Sequence, residues 1–495
     1  MSTRQQNLPV YIGAGIISLL LSLWQIQGIA QINHDAVYYL LAIQGDAASI
    51  QQIGNWLFYP KLIGIISSLL GMDTELSAHL LNSLLDTLLV LAFIRLIEEL
   101  GGNRRSLIWA ALVVLSLPYL NENRGDIIRD HGYWAFTLIA MIFYMRLFQH
   151  FSWKNLLLWN SMMLIATLFR VEGIVFLLLM PWALLLNTTL SWKSRIQFTS
   201  VSLIPVALLI TLFIAAMLFS GNFNNRLVDS IGKAGAVVEI FTHLIPEKAQ
   251  LFRTSVLPDF SRSTAEITIY LGVFYSIIKD LFSSLSWLYF IIFLLRKKFP
   301  APKLGASAKT VISIYALISL AVLFIHGAQH FVMVSRYTMA LALMLAVVVV
   351  FSLDELQQSI NNSPKRKPLL VIVGFCITLL FIDSIYNSSR PKVYIIDASN
   401  WAQKNLPAAS KVLTDYHPER VGYYSNKNNS KHYLFERYRG NKTPLKNYNY
   451  AFVRTRNGKA NSELQQLLYG QGLRPIKKIQ GDKQGVIVYQ LSDEY

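Results

Sequence analysis

The fold turns on residues 10–39, VYIGAGIISLLLSLWQIQGIA followed by QINHDAVYY. The first of these runs carries no charge and is as long as the roughly 17–25 apolar residues a helix needs to cross a bilayer. It is too long for a signal-peptide apolar core and lacks a small-residue cleavage site, so it reads as a retained membrane helix. At its far end come Asn33, His34 and Asp35, with Tyr38 and Tyr39 at helical spacing from Asp35. A carboxylate held at a membrane surface beside aromatic rings can take a proton from a hydroxyl presented there. The plainer reading is that Asp35 caps the helix that follows, since Asp ahead of an apolar-periodic run is a common N-cap. Position alone does not separate the two.

Further along, similar runs recur at 76–97, 107–120, 134–148, 156–169, 174–186, 201–219, 277–295, 311–325, 338–353 and 369–385. The 495 residues are 53% hydrophobic with a mean hydropathy of +0.40. Backbone polar groups in lipid must be satisfied internally, so these runs are expected to be helices, about eleven in all. The predicted fold class is a polytopic α-helical membrane protein with a small C-terminal α/β domain. The single cysteine, Cys376, lies in the last run, which excludes an intrachain disulfide and a multi-thiol metal site.

Lysine and arginine in short loops set the orientation. Arg104-Arg105, Lys193 with Arg195, Arg296-Lys297-Lys298 and Lys365-Arg366-Lys367 fall on one side if the helices alternate, and that side is the cytoplasm. The N-terminus is then cytoplasmic, and Asp35 and the C-terminus are extracytoplasmic. The expected location is a cell inner (plasma) membrane.

From about residue 387 the long apolar runs stop. The expected division is a transmembrane domain over 1–387 and a soluble extracytoplasmic domain over 388–495. Within the second, 395–406 reads as an amphipathic helix ended by Pro407, and 462–468 as another. Residues 411–414, 450–454 and 485–491 read as strands. Residues 388–495 hold 18 Lys and Arg against 8 Asp and Glu, so they supply +10 of the net +17. Such a surface suits lipid phosphates or an anionic polymer, although a merely solvated basic face explains it equally. No nucleic acid partner is expected outside the cell.

The outward loops collect charge. One reads Asn123-Arg124-Gly125-Asp126-Ile127-Ile128-Arg129-Asp130-His131, another Arg170-Val171-Glu172-Gly173, and a third Ser335-Arg336-Tyr337. Arginine grips phosphate through a planar, bidentate fork, and a carboxylate can deprotonate an acceptor as that phosphate leaves. Each arginine alone reads more simply as a side chain snorkelling to headgroups; three such loops on one face weigh against that. Asp86, inside the second run, reads as hydrogen-bonded to a neighbouring helix. His326 and His330 have the spacing of a metal pair but no acid between them. The connection from Gly221 to about Tyr275 reads as interfacial helices. No phosphate-binding glycine loop and no nucleophile elbow occurs.

These stretches resemble the GT-C superfamily of membrane glycosyltransferases, family 39-like. The likeness is to the branch of dolichyl-phosphate-mannose-protein mannosyltransferases and lipid A aminoarabinose transferases. It rests on His34-Asp35-Ala36-Val37-Tyr38-Tyr39, on Tyr59-Pro60-Lys61 through Leu70-Gly71, on Arg170-Val171-Glu172-Gly173 and on Ser335-Arg336-Tyr337. The resemblance implies sugar transfer with inversion from a polyprenyl-phosphate donor to a lipid, glycan or protein acceptor outside the cytoplasm. It implies Asp35 as general base, Arg129, Arg170 and Arg336 as donor-phosphate ligands, and Asp130 as the group orienting donor or acceptor. Tyr38, Tyr39, Asp126, Glu172 and Tyr337 are then candidate substrate-binding residues. No cofactor is strictly required, because the leaving group is already an anionic phosphate countered by arginine; a divalent metal stays open.

Two departures stand out. Asp35 is flanked by His34 and Ala36 where the family often has a second acid, so Asp126 or Asp130 must supply it. Val171 replaces the proline usual in the Arg-Pro-Glu-Gly turn. Two other classes compete: a flippase, which should show internal repeats and midplane polar groups, and an O-antigen-type polymerase or ligase, which uses a lipid diphosphate donor.

Overall fold

The computed structural model describes residues 3–29, 31–220, 237–295, 304–360, 366–386, 393–427, 431–440, 443–456, 462–481 and 484–491. The basic stretch at 296–298, Lys365, the start of the connection at Gly221 and the domain boundary at 387/388 lie outside them. In chain order the helices used below are α1 (Thr3–Gln27), α2 (His34–Ile43), α3 (Phe58–Leu70), α4 (Thr74–Glu99), α5 (Arg104–Leu115), α6 (Pro118–Glu122), α7 (Asp130–Gln149), α8 (Trp153–Phe169) and α9 (Gly173–Leu179). They continue as α10 (Trp192–Ser220), α11 (Ala265–Leu285), α12 (Trp287–Leu295), α13 (Ala306–His330), α14 (Ser335–Ser359), α15 (Lys367–Tyr386), α16 (Val393–Asn405), α17 (Pro418–Asn426) and α18 (Glu463–Gly470).

The chain forms two compact units, one of residues 1–26 with 50–388 and the other of residues 27–49 with 389–495. The first is helical. Six helices among the described residues, α1, α4, α11, α13, α14 and α15, are long and apolar enough to cross a membrane. This is a polytopic membrane protein. The best-buried window lies in α14, 83% inside the protein, whereas α15 is only 22% buried and shows Val371, Ile372 and Phe375 on its outside. A helix that is apolar all round and exposed on one side has lipid as its solvent.

Three of the expected runs depart from a straight span, and a fourth is short. Residues 277–295 break at Ser286, whose φ of 74° ends α11 and restarts the chain as α12. Residues 107–120 end early. The Ser116 hydroxyl donates back to the Leu112 carbonyl at 2.5 Å, and Pro118 opens the separate α6. Residues 174–186 form the seven-residue α9 followed by a 3-10 turn, Met180–Leu186, which contains Pro181. Residues 156–169 lie in α8, whose 17 residues make it a short span.

The second unit is a five-stranded mixed sheet of β1 (Lys411–Thr414), β2 (Leu434–Arg437), β3 (Tyr450–Arg456), β4 (Pro475–Gln480) and β5 (Gln484–Gln490), in the order β2-β1-β3-β5-β4. β1 runs parallel to β2 and β3, and β5 antiparallel to β3 and β4. Alternation along β3 feeds two cores. Tyr450 and Phe452 pack with Ile395, Ala398 and Ala402 of α16, while Ala451 and Val453 pack with Leu464 and Leu468 of α18. The helices expected at 395–406 and 462–468 and the strands at 411–414, 450–454 and 485–491 are all present.

α17, β2 and β4 carried no clear sequence signal. The two strands are sheet edges with mostly exposed side chains, so neither shows a buried alternation. Residues 27–49, grouped with the transmembrane portion by sequence, pack with the C-terminal unit instead. The Ile32 amide donates to the Tyr424 hydroxyl at 2.8 Å, and His34 Nδ1 meets Glu419 Oε1 at 2.5 Å.

Candidate functional site

In the helical unit the site is built where α7, α8 and α9 meet. α8 ends at Phe169, and Arg170 leaves it in an extended conformation, its amide still bonded to Ala166. Two residues later Glu172 opens α9. The turn is tight enough that a Cβ on Gly173 would lie 2.6 Å from the Thr167 hydroxyl, so this position must be glycine. Opposite, α7 begins with Asp130. A Cβ on Gly132 would overlap the Phe169 ring, so only glycine lets the start of α7 come this close to the end of α8. The indole of Trp56 donates to the Leu168 carbonyl at 2.6 Å and pins the same corner.

That approach brings charges together. The Arg170 guanidinium is paired with Asp130 through Nη1 and with Glu172 through Nη2 at 2.8 Å. Asp130 is 2% exposed and Arg170 4%. A pair this well buried survives only when both charges are satisfied, and stripping one partner typically costs ~3–5 kcal/mol. Arg170 is in direct contact with the Asp130 carboxylate, and the charges of Arg336 and Arg129 act on it as well.

Arg336 arrives from the start of α14. Ser335 donates to Asp280 at 2.9 Å, Ser284 to the Ser335 carbonyl at 2.9 Å, and Ser284 and Thr338 share a 2.7 Å hydroxyl contact, fixing this turn to α11. Tyr337 lies beneath two arginines, with Arg170 4.7 Å and Arg336 5.3 Å from its ring centre. Both distances are within cation–π range. Arg170, Glu172, Arg336, Tyr337, Tyr133 and His326 line one small cleft, about 50 Å³, walled by Phe176, Leu323 and Leu341.

The structure therefore brings Asp130, Arg170, Glu172, Arg336 and Tyr337 together, with buried Arg129 at the start of the same helix as Asp130. Asp126 sits on the loop just before, half-buried, its carbonyl held by Asn82 at 2.8 Å. Tyr133 lines the cleft but was not singled out by sequence, and His326, noted there only for its spacing from His330, lines it too. Tyr133 lies one turn beyond Asp130, on the same helix face, and that spacing was a readable signal. The rings of His326 and His330 lie 4.6 Å apart. Among the described residues no group of three or more His, Cys, Asp or Glu is placed to hold a metal.

Asp35, Tyr38 and Tyr39 belong to the other unit. Asn33, not Asp35, is the N-cap of α2; Asp35 sits half-buried in the first turn, where a negative charge favours the helix dipole. Tyr39 is buried and Tyr38 half-buried, with the His34 ring edge-on to Tyr38 at 5.1 Å. Burial pushes the Tyr38 phenol up, and the Glu419 charge adds to it. Burial alone would raise the Glu419 carboxyl, but the hydrogen bond with His34 and the nearby His417 ring prevail and hold it well below the usual carboxylate range.

Two solved structures share this architecture. An oligosaccharyltransferase from Archaeoglobus fulgidus, tethered to an acceptor peptide, matches 87% of this chain at a TM-score of 0.56 and 12% identity. This chain spans 63% of that enzyme's length. ArnT from Cupriavidus metallidurans, bound to undecaprenyl phosphate, matches the full length of this chain and 99% of its own at a TM-score of 0.53 and 12% identity. At 12% identity the likeness to each is one of fold alone. No protein-family model matches the sequence, and neither does any curated protein.

Proposed function

We propose that this protein is an inverting glycosyltransferase that takes a sugar from a polyprenyl-phosphate donor and passes it to a lipid, glycan or protein acceptor at the outer face of the membrane. One observation carries the reading: Arg170, paired with the buried Asp130, and Arg336 line the same cleft, in a fold shared with a protein solved with undecaprenyl phosphate bound. Arginine forks suit the oxygens of a phosphate better than a point charge does. Arg129, Arg170 and Arg336 hold the donor phosphate, Asp130 orients the set, and Tyr337 with Tyr133 supplies aromatic wall.

Asp35 is the general base. It takes the proton of the acceptor hydroxyl as that oxygen bonds to the anomeric carbon, while the bond from carbon to phosphate oxygen breaks and polyprenyl phosphate leaves. The arginines counter the charge that collects on the leaving phosphate. Glu172, Asp126, Tyr38 and Tyr39 line or support substrate binding. The chain sits in the inner membrane with the N-terminus in the cytoplasm and residues 388–495 outside. Alkaline phosphatase fused at Tyr495 is then active in a bacterial host; an inactive fusion places the tail inside.

The donor class is tested with purified protein in proteoliposomes supplied with a membrane extract as acceptor. A sugar on polyprenyl phosphate should be consumed with release of free polyprenyl phosphate. Efficient turnover of a nucleotide sugar in the absence of polyprenyl phosphate contradicts the reading.

A further inference from the structure

Behind the arginine cleft lies a second set of charges that the proposed reaction does not use. Asp86, in the middle of α4, Arg124 and His131 are all fully buried. Asp86 Oδ1 is 2.6 Å from His131 Nδ1, and its Oδ2 is 4.0 Å from Arg124 Nη1. Arg124 also donates to Asn121 at 2.8 Å and to the hydroxyls of Ser18 and Ser22 on α1 at 3.0 and 3.1 Å. Asn121 reaches Ser384 on α15 at 2.9 Å. One turn before Asp86, Asn82 accepts from Tyr59 at 2.7 Å and donates to the Asp126 carbonyl.

The loop 121–131 is therefore tied to α1, α3, α4 and α15 by side-chain hydrogen bonds and an ion pair. The tie at its end, His131, directly follows Asp130 in the chain. The set is costly: among the described residues, the buried Arg124 Nη2 and His131 Nε2 find no hydrogen-bond partner. Apolar residues of similar volume generally hold a core as well as a buried ionic set or better, so stability alone does not account for these charges.

We infer that Asp86, His131 and Arg124 are positioning residues. They set the loop 121–131, and through it the placement of Asp130 against Arg170. The inference rests on the reading above only for the ligand of that site. It is tested on the full chain in detergent by amide hydrogen exchange, with undecaprenyl phosphate binding followed in parallel by native mass spectrometry. Asp86→Asn should speed exchange over 121–133 about tenfold, leave α14 at the wild-type rate, and weaken undecaprenyl phosphate binding by about tenfold. Asp86→Glu, which restores the charge, should recover most of both.

Where Asp86→Asn does not accumulate, the variant combining Asp86→Leu, Arg124→Met and His131→Leu removes all three charges together, and the loop is read in the same way. Wild-type exchange in 121–133 for either variant, or a rise shared by the whole chain, overturns the inference. If wild-type protein fails to bind undecaprenyl phosphate, the functional reading falls, while the exchange of the loop still decides the positioning role.

Discussion

Two aspartates, each in the first turn of a helix, sit in opposite circumstances. Asp130 is 2% exposed, fixed to Arg170 and surrounded by further arginines. Asp35 is half-buried on α2, in a segment that belongs to the C-terminal unit. A carboxylate locked against arginine holds its negative charge firmly and makes a poor proton acceptor but a good strut. On the function proposed above, Asp130 is the strut and Asp35 the base.

The sharpest way to break this division is to remove basicity at Asp35 while keeping its shape. Loss of a general base typically costs about a hundredfold to ten-thousandfold in rate, so Asp35→Asn should lose transfer by that factor and still bind polyprenyl phosphate. Near wild-type transfer by the purified variant would move the base to Asp126 or Asp130. A smaller effect is expected at the corner that seats Asp130. Gly132→Ala drives a methyl into Phe169, and overpacking of this kind costs about 1–3 kcal/mol. A lower Tm together with a raised donor KM checks it; an unchanged KM would mean that the approach of α7 to α8 does not set the site.

The smallest effect belongs to the other region. The depressed Glu419 carboxyl stabilises the folded state above its ordinary value near 4.5, and that contribution is lost as pH falls through its lowered folded value. Glu419→Gln should therefore lower the Tm of the full chain at pH 7, with the gap to wild type narrowing toward pH 3. A gap that does not change with pH would mean that the contact of His34 and His417 with Glu419 acts without charge.

What the sequence made readable follows from how each feature is built. Apolar length marked the membrane helices, and residues such as Arg170, Glu172 and Arg336 stood out as charges beside lipid. The strand at 484–490 was legible because both of its faces are buried and apolar. Other features depend on distance in space. The break at Ser286 is a single backbone angle in an otherwise apolar run. The partners of Asp86 lie in a loop about forty residues on, and Arg124 and His131 there read as ordinary loop charges until α4 is laid beside them. The attachment of residues 27–49 to the tail rests on Glu419 and Tyr424, nearly four hundred residues away, and no local pattern announces such a pairing.

The central claim is that the arginine cleft holds a lipid monophosphate, and binding tests it most directly. Native mass spectrometry of the full chain with undecaprenyl phosphate should show a bound lipid that Arg170→Lys and Arg336→Lys each weaken about tenfold or more, because lysine keeps the charge but loses the fork. Undecaprenyl phosphate bound equally well by wild type and both variants would contradict it.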